Sequence, residues 1–273
     1  MSYLTALHLE QEPFSTSPDP AFFYRSIQHY ACLNRVEIAI RLRRGLSLIV
    51  GDVGTGKTTL ARKLLQNFVG EDDYVFHMIL DPSFKTEQQF LAHLTKLFGV
   101  TPFFQSNIDY KDAIEQYLFK KGIDEQKTVV LLIDEGQKLS EPILEILRTL
   151  LNYETNDHKL LQLVIFSQNE ILAKLKNMRN FTDRISLKFK LAPLDYYETS
   201  KMIEFRLNQA GFIDGKVLFS TDAVKKIYNY TQGYPRQIAR MCHNALEKII
   251  AGDYRSVSTD LVDALIEHDR QWK

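Results

Sequence analysis

The chain has 273 residues, 45% apolar and 25% charged, enough to build a sizeable core and to exclude wholesale disorder. Thirty-four basic residues balance thirty-four acidic ones, so bulk charge makes no case for a nucleic-acid binder and any basic patch must be local. Cys32 and Cys242 are too few for a disulfide framework and lack metal-ligand spacing, and no apolar run approaches the ~20 residues that cross a bilayer.

The opening, MSYLTALHLEQEPF, lacks the basic stretch and apolar run of a signal peptide. Pro13, Pro18 and Pro20 forbid a regular helix around them, so residues 1–26 are expected to run extended over a surface, anchored by Phe14, Phe22, Phe23 and Tyr24. From His29 to Arg44 the apolar spacing predicts a largely buried helix, with Gly45 as its stop. The RLRR cluster at 41–44 reads as a solvated helix end, with a DNA or partner patch as the alternative.

Short apolar runs then alternate with helical patterns. The runs are 46–50, 74–80, 128–133, 161–166 and 185–191; helical stretches are predicted at 58–69, 86–98, 109–121, 141–154 and 169–178. The first four runs are nearly continuous in apolar residues, as strands buried on both faces are. This order predicts a parallel five-stranded sheet with helices on both faces. After Pro193 only helices are expected, at 196–210, 221–231, 235–251 and 259–270, with Asp195 and Glu198 forming a capping box and Ser258 an N-cap. The expected division is an α/β domain over 1–193 and a small all-α domain over 194–273.

GDVGTGKT at 51–58 fits the G-x-x-x-x-G-K-[ST] pattern between a strand and a helix. Its glycines turn backbone N–H groups inward to cradle phosphate, and the helix N-terminus adds positive potential. Gly51, Asp52, Val53, Gly54, Thr55, Gly56, Lys57, Thr58 and Thr59 are therefore the nucleotide-binding candidates, with Lys57 reaching the β/γ-phosphates and the Thr58 hydroxyl on Mg²⁺. VVLLIDEGQ at 129–137 ends an apolar strand in two acids. Asp134 is expected to hold Mg²⁺, and Glu135 to act as the base that polarises the attacking water. The seven histidines show no metal spacing and read as core or surface residues.

Taken together, PFSTSPDPAFFY, GDVGTGKTT, LLIDEGQKL and GYPRQI resemble the AAA+ ATPases, and within them the secretion ATPases of the ExeA/GspA type (general secretion pathway protein A). The resemblance covers essentially the whole chain. It implies a P-loop AAA+ α/β domain followed by a helical lid, with ATP and ADP as ligands, Mg²⁺ as cofactor, and ATP-dependent homo-oligomers. It assigns Gln168 as sensor 1, although Ser167 and Asn169 stand where the family usually has glycine and proline. Arg236 becomes sensor 2. Arg184, and after it Arg179, become candidates for an arginine that reaches a neighbouring subunit's nucleotide. Tyr24 becomes a candidate adenine cover, beside plain docking of the N-terminal segment.

The implied function is ATP hydrolysis that drives secretion-apparatus assembly, in the cytoplasm and at the inner membrane through a membrane-anchored partner. The family continues beyond its ATPase region into a membrane segment and a periplasmic part, so the chain is expected to be a fragment or a stand-alone relative. The alternative is an ATP-gated DNA-binding regulator of transposition, with transposase and DNA as partners. A P-loop kinase leaves Glu135, Gln168 and Arg236 without a joint role.

Overall fold

The five apolar runs form β1 (Leu46–Gly51), β2 (Tyr74–Ile79), β3 (Thr128–Ile133), β4 (Leu161–Ser167) and β5 (Ile185–Leu191), all parallel in the order β2-β3-β4-β1-β5. The computed structural model describes residues 3–102, 106–212, 217–252 and 256–272. The described helices are α1 (Tyr3–Ala6), α2 (Ile27–Arg41), α3 (Lys57–Asn67), α4 (Glu87–Phe98), α5 (Asn107–Phe119), α6 (Glu141–Leu150), α7 (Ile171–Leu175), α8 (Arg179–Thr182), α9 (Tyr196–Gln209), α10 (Thr221–Thr231), α11 (Pro235–Ala251) and α12 (Thr259–Arg270).

The chain separates into two compact units. One comprises Gln28–Val53 and Leu60–Leu191; the other comprises Met1–Ile27, Gly54–Thr59 and Ala192–Lys273. In the sheet unit β1, β3 and β4 are buried along their whole length. Their alternate residues serve two layers, because successive side chains leave a strand on opposite faces. Leu46, Leu48, Val129, Leu131, Ile133, Leu163 and Ile165 join a core with α4, α5 and α6. Ile49, Val130, Leu132, Val164 and Phe166 are buried on the opposite face.

β2 departs from the expectation of a strand buried on both faces. It is an edge strand, and all of it except Ile79 is only half-buried. Its continuous apolar run reflects aromatic cover: Phe76 and Tyr74 pack on Phe68, and His77 packs on Phe98 and Tyr117.

The Arg cluster has partners that the sequence does not announce. Arg41 makes two 2.7 Å hydrogen bonds to the Glu71 carboxylate and lies over Phe68. Arg43, at a φ of 48°, donates to Thr128 Oγ1 at 2.9 Å and sits 2.5 Å from His158 Nε2. The cluster is solvent-exposed at Arg41, Leu42 and Arg44, as expected of a helix end, and two of its three arginines also have partners in the sheet unit. The helix stops at Arg41 because the chain turns left-handed at Arg43, before Gly45 at φ 87°.

In the helical unit, Tyr3, Leu9, Phe14 and Phe22 share a core with α9, α10, α11 and α12. Residues 1–26 are not uniformly extended. α1 forms ahead of the first proline, and Pro20–Phe22 makes one 3-10 turn with Asp19 Oδ1 accepting from Ala21 N–H at 2.8 Å. Pro20 fits there because a helix's first residue has no intrahelical use for its N–H. The Arg206 guanidinium holds the segment by donating to the Pro13 and Ser15 carbonyls at 3.5 and 3.3 Å.

Asp195 caps α9 as expected, with Oδ1 accepting from Glu198 N–H at 2.7 Å. The box does not close. Glu198 Oε1 accepts instead from Ile27 N–H at 3.0 Å, so it satisfies the first donor of α2. Ser258 caps α12 through Leu261 N–H.

Candidate nucleotide site

The order β3-β4-β1 with all strands parallel sets the carboxyl ends of three neighbouring strands along one edge. Gly51 ends β1 and Asp52 follows it; Asp134 and Glu135 follow β3; Gln168 and Asn169 follow β4. Ligands of open parallel sheets bind outside this edge, where strand order reverses.

Asp134 is 3% exposed, and its N–H extends the ladder to the Ile79 carbonyl at 2.8 Å. Its Oδ1 accepts from Glu135 N–H at 2.9 Å. Glu135 then takes φ 53° and ψ 36°, a left-handed conformation uncommon for a side chain of this type. A 3-10 turn, Gly136–Lys138, follows. A Cβ on Gly136 would lie 2.4 Å from Ile165 Cγ2 and 3.2 Å from the Phe166 carbonyl, so glycine lets this turn press directly on β4.

Sequence reasoning does not single out Gln137. Its Nε2 donates to Glu135 Oε2 at 2.6 Å, and its Oε1 accepts from Gln168 N–H at 3.0 Å. Lys174 on α7 fixes the turn by donating to the Gln137 and Leu139 carbonyls at 2.5 and 2.8 Å. The only signal is a polar residue two places after Glu135 in LIDEGQ. What gives it meaning is the 3-10 geometry, which no spacing rule announces.

Asn169 takes up a second unforeseen role. Its Nδ2 donates to Asp52 Oδ1 at 2.5 Å, while its own Oδ1 is buried without a partner. The residue standing in place of the family's proline therefore ties the β4 loop to the start of the 51–58 loop.

Within 51–58, Gly54 and Gly56 have φ of 83° and 97°, values only glycine adopts freely. α3 begins at Lys57, which is 7% exposed, and Thr55 is fully buried. A buried ammonium at a positive helix terminus concentrates the potential that a polyphosphate neutralises. The Thr58 hydroxyl and the Asp134 carboxylate are hard oxygen donors of the kind Mg²⁺ takes. Val53 is exposed.

In the helical unit, Arg236 N–H donates to the Gly54 carbonyl at 3.2 Å, and a Cβ on Gly54 would meet Arg236 Cβ at 3.1 Å. Arg236 lies in the first turn of α11, right after Pro235, and the residue is exposed. Tyr24 is half-buried, its ring 6.0 Å from Phe205, and burial raises its hydroxyl above the usual phenol range. Of the two arginines before β5, Arg184 is half-buried. Arg179 is 91% exposed on its side chain, with Asp183 3.8 Å away.

The AAA domain family model matches residues 40–175, which include the 51–58 loop, Asp134, Glu135 and Gln168. This chain belongs to the AAA+ family. General secretion pathway protein A of Aeromonas hydrophila is 33% identical to it over 97% of this chain. The chain spans 48% of that relative's length. Among solved structures, the fold matches the Aeropyrum pernix ORC2 protein in its ADPNP–ADP complexes, with a TM-score of 0.66, 17% identity, and coverage of 89% of this chain and 67% of that one. It also matches a RuvB variant of Thermotoga maritima with a TM-score of 0.59, 18% identity, and coverage of 87% and 68%. These two establish the α/β fold with its helical C-terminal region. Among the described residues, no helix is long and apolar enough to cross a membrane.

Proposed function

We propose that this AAA+ protein is an Mg²⁺-dependent ATPase that converts ATP and water to ADP and phosphate and drives assembly of a secretion apparatus at the inner membrane. The observation that carries the catalytic reading is the edge of the sheet. A glycine-turned loop leaves β1 into a helix N-terminus, and a buried aspartate followed by a glutamate leaves β3, with β4 between the two strands.

The 51–59 backbone and Lys57 bind and orient the β- and γ-phosphates, and Thr58 and Asp134 would hold Mg²⁺. When bound, the ion neutralises charge on the phosphate oxygens. Glu135 accepts the proton of the attacking water as its oxygen bonds to the γ-phosphorus and the bond to the ADP oxygen breaks. Gln168 orients that water or the γ-phosphate. Arg236 reports nucleotide to the helical region that begins after Pro193 and acts as a lid; the N-terminal segment, expected with the nucleotide-binding domain, packs instead in the helical unit's core. Tyr24 covers the adenine.

The secretion role is supported by the 33% identity to general secretion pathway protein A over 97% of this chain, and a membrane-anchored component is the partner it suggests. The alternative, a DNA-bound regulator of transposition, draws less support from this cluster, since Arg41 and Arg43 already have partners in Glu71, Thr128 and His158.

The test pairs two variants. Lys57→Ala is expected to lose tight ATP binding by calorimetry, whereas Glu135→Gln keeps binding and loses turnover. Unchanged turnover in Glu135→Gln at saturating ATP would show that another group activates the water. Wild-type affinity in Lys57→Ala would remove that residue from the phosphate site.

A further inference from the structure

Gln137 spans the two residues that the hydrolysis reading needs to act together. One end of its amide donates to the Glu135 carboxylate at 2.6 Å; the other accepts from the Gln168 backbone N–H at 3.0 Å. The Ser167 hydroxyl also approaches that oxygen, at 3.4 Å. An amide uses one donor and one acceptor here in opposite directions, and that polarity fixes which way round it sits.

The turn that carries it has little freedom. Gly136 leaves no room for a Cβ against Ile165 and the Phe166 carbonyl. Lys174 grips the turn from α7 through two backbone carbonyls. Glu135 is held in a left-handed conformation, which is unfavourable for an L-residue and persists only where the surroundings over-determine it. A side chain on a rigid turn, bonded to two flanking site residues, transmits a displacement at one to the other.

We propose that Gln137 is a positioning residue that couples Gln168 to Glu135. When γ-phosphate engages the β4 loop, the Gln168 backbone shifts, and the Gln137 amide sets where the Glu135 carboxylate points. Without nucleotide, the same amide holds that carboxylate against the turn. Gln137 touches neither water nor phosphate in this scheme, so its loss should lower turnover without weakening nucleotide binding. The inference rests on Glu135 acting as the base.

Gln137→Met keeps the length and removes both hydrogen-bonding ends. Gln137→His keeps one ring donor and one ring acceptor. Steady-state ATPase kinetics and ATP affinity by calorimetry are to be measured on both, and on Gln168→Ala and its double variant with Gln137→Met. Gln137→Met is expected to lose about 10–100-fold in kcat, the range for a hydrogen bond to a charged group. KM and ATP affinity should stay within about twofold of wild type, since uniform binding is untouched. Gln137→His should recover part of the loss. The double variant should cost no more than the worse single one, since coupled residues are not additive.

Equal losses of kcat and ATP affinity, or fully additive losses in the double variant, would overturn the coupling role. So would wild-type turnover in Gln137→Met. These outcomes differ from failure of the base assignment, in which Glu135→Gln itself turns over normally. That result would overturn the inference as well, because Gln137 would then have no base to position. Thermal melts of each variant separate a folding defect from a positioning one: a melt unchanged from wild type, alongside the kcat loss, supports the proposal. Where Gln137→Met loses its cooperative melt, the near-isosteric Gln137→Glu takes its place, keeping an acceptor for Gln168 N–H but no donor for Glu135: a normal melt with lowered kcat and unchanged ATP affinity supports the proposal, and a normal melt with wild-type kcat overturns it. A Gln137→His that melts normally yet has the kcat of the Met variant counts against it.

Discussion

Glu135 shows how a single residue can be placed against its own conformational preference. A φ of 53° favours glycine or asparagine, yet glutamate occupies the position after the buried Asp134. The strain is offset by the Asp134 Oδ1 bond to its N–H and the Gln137 bond to its carboxylate. In ordinary helical or extended backbone, glycine is less stable than alanine by roughly 0.5–1 kcal/mol. At Glu135 the order should invert. Glu135→Gly is expected to be more stable than Glu135→Ala by about 1 kcal/mol, read as urea-denaturation midpoints at equal slope, while both lose turnover. If alanine proves the more stable, the left-handed conformation is not present in solution. The motif LIDEGQ makes the acids legible, because the proposed chemistry needs a carboxylate pair after a buried strand. The strain at Glu135 and the bridge by Gln137 are not legible, since both arise from the turn's approach to β4. Gly233 is a parallel case. Its place in GYPR is visible in the sequence, but its necessity comes from φ 75° and from the Leu194 carbonyl, 1.9 Å from where a Cβ would sit.

At the scale of elements, the strands are the most legible part. β3 and β5 match their predicted spans to the residue, because a nearly continuous apolar run in β3 and an apolar/polar alternation in β5, each bounded by turn residues, leave few alternatives. Helix ends are less so. The stretch expected as a helix at 169–178 is helical only over α7, with α8 a separate short helix beyond it, and the end of α2 is set by Arg43 and its partners rather than by Gly45. Edge position is also hidden, since a central and an edge strand can share one composition when aromatics cover the edge. That cover has a consequence at β2. His77 lies against Phe98 and Tyr117, with the Tyr117 hydroxyl 2.9 Å from Nε2, and burial pulls its pKa from 6.5 to about 4. Lys121 adds a smaller push in the same direction, against a hydrogen bond to the Leu97 backbone. Between those two pH values the unfolded chain takes up a proton that the folded chain refuses, so stability falls as pH drops from about 6.5 toward 4. His77→Gln keeps a polar partner for Tyr117 and removes the titration. The difference in melting temperature between neutral pH and a pH just above the lowered pKa should shrink in this variant relative to wild type. Identical pH slopes in the two proteins would place the acid sensitivity elsewhere, at His93 or at His158, whose pKa values are also lowered by desolvation.

For the whole molecule, the question is whether one chain holds a complete catalytic site. In the proposed mechanism Glu135, Gln168 and the 51–58 loop come from one chain, but the arginine that would stabilise charge on a transferring phosphoryl group is not among them. Arg184 lies between α8 and β5, half-buried, and Arg179 opens α8 almost fully exposed. A guanidinium supplied by a neighbouring copy suits the planar, spread charge of the transition state. If Arg184 acts in trans, specific activity must rise with protein concentration, and ATP must promote oligomers by giving the arginine a partner across the interface. Arg184→Ala should then bind ATP nearly as well as wild type but lose turnover, by ~10³–10⁵ if it matches arginine fingers of other P-loop enzymes. The decisive measurement mixes Arg184→Ala with Glu135→Gln subunits. One lacks the donor and keeps the base; the other lacks the base and keeps the donor. A mixed interface therefore joins an intact Glu135 site to an intact Arg184, and activity should rise above that of either variant alone. No rise in mixtures shown to co-assemble, with specific activity indifferent to dilution, would return Arg184 to the surface and send the same experiment to Arg179.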